Sequence, residues 1–282
     1  MAEDIVTKCR SKLFITLFAL GTFAGPAMKA YGSLMMHHTR AKRCANRIVL
    51  AAVSTQADFE RFVKKHQPPE PIRSLIDANR ADLEHKYFKR IKKIPGLMIK
   101  GYDITRVINA QRMRRCIEMF NLDQLDVAQK YFYKVGETWR IFACYVEPHS
   151  EQPLLNLIQV QQLAKLAEET GFRDWYPNWY FDKRGKFTCI DMEDRSFVGG
   201  PLNRTKGTKA EFVKSLLRLE HDMEPEALQW LQDRITTLQN SPEGTVQCPR
   251  LMDNTQFDEP EINIVKVKQY FSESSRRYLE LT

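Results

Sequence analysis

Three acidic residues gather at the end of the segment Phe181 to Asp194, FDKRGKFTCIDMED. Asp191 follows directly on the apolar run Phe187 to Ile190, and Glu193 and Asp194 come just after it. A carboxylate at the exit of an apolar strand is either a metal ligand or the strand's polar terminus. Upstream, Asp174 and Asn178 flank Pro177 in a short loop, a setting in which such side chains also cap turns and satisfy loop backbone. Trp175, Tyr176, Trp179 and Tyr180 crowd the same loop as packing anchors or stacking platforms. Farther back, Lys100 ends the apolar piece Leu97-Met98-Ile99, and Glu118 lies near the end of a helix-like stretch. The two are either a buried ion pair or ordinary surface charges. The six cysteines, at 9, 44, 116, 144, 189 and 248, form no C-x-x-C pair and have no histidine at zinc-ligand spacing. They read as buried small hydrophobes in a reducing compartment.

The elements that must position these residues follow from periodicity and breakers. Trp179 to Phe181 and Phe187 to Ile190 read as a strand pair joined by the turn Asp182 to Gly185. Before them, Leu155 to Thr170 carries Leu155, Ile158, Leu163, Leu166 and Ala167 near helical spacing, with Gly171 as its stop. Leu97 to Lys100 is a short strand, Ile104 to Phe120 a helix, and Lys130 to Val135 and Trp139 to Val146 two further strands leading to Glu147-Pro148-His149. In the C-terminal third, Lys209 to His221 and Glu224 to Gln239 form a helical hairpin. Pro225 stands in the first turn of the second helix, and a last helix spans about Ile264 to Leu279.

The order helix, polar loop, hairpin, acidic residue resembles the catalytic segment of protein kinases and related small-molecule kinases. Arg173, Asp174, Asn178 and Asp191 fall on its Arg-Asp…Asn loop and later acidic residue, and the thirteen residues from Asn178 to Asp191 match its spacing. The resemblance implies that Asp174 positions a hydroxyl and that Asn178 and Asp191 hold magnesium. It also implies that Lys100 and Glu118 pair to clamp the phosphates of ATP, and that Glu147 to His149 is the hinge. It covers about 110 residues, from about Tyr87 to about Ser196. The sequence departs from the family in several places. No G-x-G-x-x-G precedes Lys100, where FKRIKKIPGLMIK has one glycine and four cations before the lysine. Asp174 stands four residues before Asn178, and Arg173 takes the place five before. Met192-Glu193 replaces Phe-Gly, and no Ala-Pro-Glu follows Ser196.

Charge locates the rest. Residues 1–47 carry Lys8, Arg10, Lys12, Lys29, Arg40, Lys42, Arg43 and Arg47 against Glu3 and Asp4, most of the chain's formal +8. The remainder is nearly balanced, so a broad nucleic-acid-binding face is not expected. Leu13 to Ala27, LFITLFALGTFAGPA, has the layout of a signal peptide. It is short for a spanning helix unless extended to Met36, and a plain buried helix also fits. The expectation is an α+β protein with a compact kinase-like core, a small-lobe antiparallel sheet and a reduced helical lobe, behind an N-terminal hydrophobic helix. Residues 1–47 are the signal or membrane-anchor segment, 48–86 a linker with Pro68, Pro69 and Pro71 followed by a helix from Ile72 to about His85, and 87–282 the kinase-like domain. The function expected is that of a pseudokinase serving nucleotide sensing or protein recognition at or across a membrane. ATP and Mg²⁺ are its ligands and a protein its partner. An active Mg-ATP-dependent phosphotransferase and a helical adaptor without nucleotide chemistry stand as alternatives.

Overall fold

The computed structural model describes residues 55–83, 89–90, 94, 96–175, 177–197, 209–219, 222–242 and 255–279. The N-terminal segment 1–47, with its apolar run 13–36, lies outside the described residues. Among those described, no helix is long and apolar enough to cross a membrane. All of them belong to the compact unit that begins at Ser54.

The fold is α+β. Helix α1 covers 55–66. After Pro68 and Pro69, which cannot continue a helix, come α2 (Glu70–Ala78), with proline in its first turn, and the single turn α3 (Arg80–Leu83). Strands β1 (Lys89–Arg90) and β2 (Leu97–Ile99) lead to α4 (Thr105–Met119), then to β3 (Leu125–Val127), β4 (Lys130–Val135) and β5 (Thr138–Cys144). Helix α5 (Leu157–Thr170) follows, then β6 (Trp179–Phe181) and β7 (Phe187–Cys189). The helices α6 (Lys209–Leu216), α7 (Pro225–Asn240) and α8 (Ile264–Leu279) complete the order.

Two sheets share the work. The first is antiparallel in the order β1-β2-β5-β4, and the second runs β3-β7-β6. Period-2 alternation separates the faces of the first sheet. Leu97, Ile99, Val135 and Phe142 pack with Ile76 of α2 and Leu83 of α3. On the other face Phe132 and Ile141 join Phe59 and Phe62 of α1, Val107 and Ile108 of α4, and Ile264 and Val267 of α8. Register sets Met98 and Lys130 on either side of the small residue Ala143, so all three share the face that receives α4.

The second sheet is buried in the larger core. Trp175, Trp179, Phe172, Phe187 and Phe197 pack there against Leu163, Leu166 and Ala167 of α5 and against Phe212 and Leu216 of α6. Helix α5 is well delimited. Asn156 and Gln159 form a reciprocal capping box at its start, and Gly171 ends it at φ 68°, a left-handed conformation that favours glycine. The loop after α5 is tied to α6 by two polar contacts: the Trp175 indole N–H donates to the Ser215 carbonyl, and the Ser215 hydroxyl donates to the Phe172 carbonyl.

His66, at the end of α1, packs on Phe62 with ring centroids 4.4 Å apart and is 8% exposed. Burial, aided by the neighbouring Lys65 charge, lowers its pKa to about 4. The unfolded chain therefore binds a proton below pH 6.5 that the folded chain refuses until about pH 4, and stability must fall as pH drops through that window. A loss of roughly 3 kcal/mol between pH 6.5 and 4 is expected from this group. His66→Gln should flatten that part of the stability curve, measured by urea denaturation at stepped pH.

Candidate functional site

The site is built where the two sheets approach each other. After α4 the chain does not go straight to the first sheet. Leu125, Asp126 and Val127 first pair in parallel with Phe187, Thr188 and Cys189, and the ladder extends through the Ala128 N–H to the Cys189 carbonyl at 2.8 Å. Two residues later each chain reaches a charged side chain, Lys130 on one and Asp191 on the other. Parallel pairing keeps both chains running in the same direction, so the two arrive together. The Lys130 Nζ lies 3.6 Å from Asp191 Oδ1.

Lys100 comes from the other side. The β2–β5 ladder continues past Ile99, with the Lys100 N–H on the Ile141 carbonyl and the Ile141 N–H on the Gly101 carbonyl. Lys100 thus lies two residues beyond Met98 on the α4 face, and its Nζ stands 3.8 Å from Asp191 Oδ2. The third cation is Arg106, in the first turn of α4. Its Nη1 donates to both Asp191 oxygens at 2.6 and 2.7 Å, and its Nη2 pairs with Glu193. Arg195, largely exposed, holds the second Glu193 oxygen at 2.6 Å.

Burial would raise the Asp191 carboxyl, but Lys130, Lys100 and Arg106 outweigh it and hold the group below its usual range. Lys130 has the opposite problem. Its side chain is 1% exposed, its ammonium has no hydrogen-bond partner among the described residues, and burial lowers its pKa to about 8 despite the Asp191 charge. Cys189 donates its thiol to the Asp191 carbonyl at 3.2 Å, and burial pushes it up to about 12, which leaves it protonated and unreactive.

The residues expected from the sequence divide here. Lys100 and Asp191 come together. Asn178 lies beside Asp191 in the hairpin, its carbonyl accepting from the Ile190 N–H, but its side-chain amide donates to Asp174 at 2.8 Å. Asp174 also accepts from the Ser196 hydroxyl at 2.8 Å, so its carboxylate is tied up between its own loop and the turn that follows β7. Glu118 sits exposed near the far end of α4, about 18 Å along the helix from Arg106 at 1.5 Å per residue. It lines a cavity of about 410 Å³ with Lys65, His66, Arg114 and Arg115 instead of joining Lys100. Arg106, Lys130 and Glu193 are the members that spacing did not nominate. The signal for Lys130 was a cation on the same face as Phe132 in an apolar strand; Arg106 left none.

The donor set decides what could be held. Magnesium takes near-octahedral oxygen ligands, usually one or two carboxylates with phosphate oxygens and water. Here both Asp191 oxygens already meet Arg106 and stand within 4 Å of two lysines, and Asn178 is turned to Asp174. Among the described residues no group of three or more His, Cys, Asp or Glu could hold a metal ion. This arrangement does not fit magnesium. Three cations against two carboxylates suit an anion better, and phosphate oxygens are the natural match. Comparison with protein-family models, with curated proteins and with solved structures found no match to the chain.

Lys130 is expected to lower stability. Its folded-state pKa of about 8 means that the ammonium is carried at neutral pH at a cost, which disappears as pH rises from 8 towards 10.5. Lys130→Met should therefore stabilise the protein by roughly 2–4 kcal/mol at pH 7. It should also remove a rise in stability between pH 8 and 10.5. Chemical denaturation of both proteins across that range measures the difference.

Proposed function

We propose that the chain is a degenerate kinase-like protein whose cleft binds the phosphates of a nucleotide and serves sensing or protein recognition rather than phosphoryl transfer. The observation that carries this reading is the meeting of Lys100 and Asp191 at 3.8 Å. These are the strand lysine and the post-hairpin acid that the kinase resemblance places at the phosphates. A helix-bearing antiparallel sheet on one side and the α5–loop–hairpin unit on the other support it further. An adaptor without nucleotide chemistry has no need to desolvate two lysines and an arginine around one carboxylate.

The degenerate form is preferred to an active phosphotransferase because of Asp174. A base that accepts a hydroxyl proton must reach that hydroxyl. Asp174 spends an oxygen on Asn178 and Ser196 instead, and Arg173 bonds the Arg195 carbonyl. On this reading ATP is the ligand class, a protein is the partner, and the N-terminal segment delivers the domain to or across a membrane.

Thermal-shift titration of the full chain with ATP and ADP tests the proposal. A saturable upward shift is expected, and Lys100→Met should weaken it about 10- to 100-fold by removing a charge-assisted contact to phosphate. No shift at millimolar nucleotide, in a sample shown to be folded, would leave the helical adaptor as the better account.

A further inference from the structure

Between Asp191 and Glu193 the fold places a guanidinium where a phosphate site of this type has a metal. The Arg106 side chain is 6% exposed; one of its terminal nitrogens meets both oxygens of Asp191 and the other meets Glu193. One cationic group thus bridges two carboxylates, which is the task a divalent ion performs when it joins acidic side chains to phosphate. Lys100 and Lys130 approach the same carboxylate from the sheet, so the group carries a surplus of positive charge before any ligand arrives. Adding a dication would place it against three fixed cations in a part-buried site; adding an anion relieves them.

We infer that Arg106 substitutes for the divalent metal at this site, so that Asp191 and Glu193 bind no metal and a nucleoside polyphosphate enters the cleft in its metal-free form. The carboxylates orient Arg106 and the two lysines, while Lys100, the more exposed lysine, meets the incoming phosphate. The inference about the nucleotide rests on the function proposed above. That a metal is replaced rests on it too, while the statement that Asp191 and Glu193 bind no metal concerns the chain's own carboxylates and is tested by itself.

The two are separated by using Mn²⁺ alone as one probe and ATP as the other, both on the full chain. Electron paramagnetic resonance should show the wild-type protein leaving Mn²⁺ free up to millimolar concentration. ATP should raise the melting temperature equally in EDTA and in Mg²⁺. Arg106→Gln removes the guanidinium that joins the two carboxylates, leaving Asp191 to the two lysines and Glu193 to Arg195, and should bind Mn²⁺ at least tenfold more tightly than the wild type. That gain should be lost when Asp191→Asn is added. Arg106→Lys, which keeps a cation, should refuse Mn²⁺ like the wild type, and circular dichroism establishes that each variant is folded.

Wild-type Mn²⁺ binding that Asp191→Asn abolishes would overturn the substitution without any recourse to a variant of Arg106. So would an ATP shift that appears only with Mg²⁺, although that result would uphold the nucleotide site itself. A folded Arg106→Gln protein that gains no Mn²⁺ would overturn it as well. Gain of Mn²⁺ without any ATP shift would uphold Arg106 as the group that keeps metal from the two carboxylates and end the nucleotide reading.

Discussion

The parallel pairing of Leu125–Val127 with Phe187–Cys189 is the constraint on which the rest of this protein hangs. It ties the segment that follows α4 to the hairpin that follows α5, and so joins the first sheet to the larger core through backbone rather than through side chains. Parallel strands require a crossover between them. Here the crossover contains β4, β5, α5 and β6, so Lys130 opens the excursion and Asp191 follows its return, while Lys100 and Arg106 come from the chain before it. Disturbing the pairing would shift Lys130 and Lys100, both carried by the first sheet, relative to Asp191.

The charged cluster built on that pairing is costly by every local measure. Arg106 occupies the first turn of α4, at the positive end of the helix dipole, where a cation is unfavourable. Lys130 is buried without a hydrogen bond among the described residues, and Asp191, with a fifth of its side chain exposed, gives up most of its water. A hydrophobic replacement of similar volume would be easier to fold. On the function proposed above, these costs are those of a site retained for binding.

Much of the scaffold was legible in the sequence because its signals are local. Lys130–Val135 reads as a strand from its apolar residues, the helix Leu157–Thr170 as the stretch Leu155 to Thr170 from apolar spacing and its glycine stop, and Ile264–Leu279 as a last helix. Strand β3 was not legible. Three residues, LDV, carry no period, and what makes them a strand is a partner some sixty residues away. The site followed the same division. Lys100 and Asp191 stand at the ends of apolar strands and could be nominated by type and position. Arg106 could not, since an arginine on a helix bearing Arg112, Arg114 and Arg115 looks like any other until the fold buries it, as it also buries Arg112. Glu118 was nominated by spacing alone, and helix geometry carries it to the opposite end of α4.

The short stretch that carries Asp191 and Glu193 is closed at both ends. It leaves the hairpin at Ile190, whose N–H is held by Asn178. It returns at Ser196 and Phe197, where the Ser196 carbonyl accepts from the Arg173 N–H, the hydroxyl donates to Asp174, and Phe197 bridges to Phe172. A loop pinned by both stems to one neighbouring segment has already lost the entropy that an open loop of that length would lose on capturing a ligand. It behaves as a preset socket rather than a swinging gate. Any conformational signal that passes through this cleft would therefore have to come from movement of α4 across a stationary acidic turn, with Arg106 as the tooth that engages or releases it.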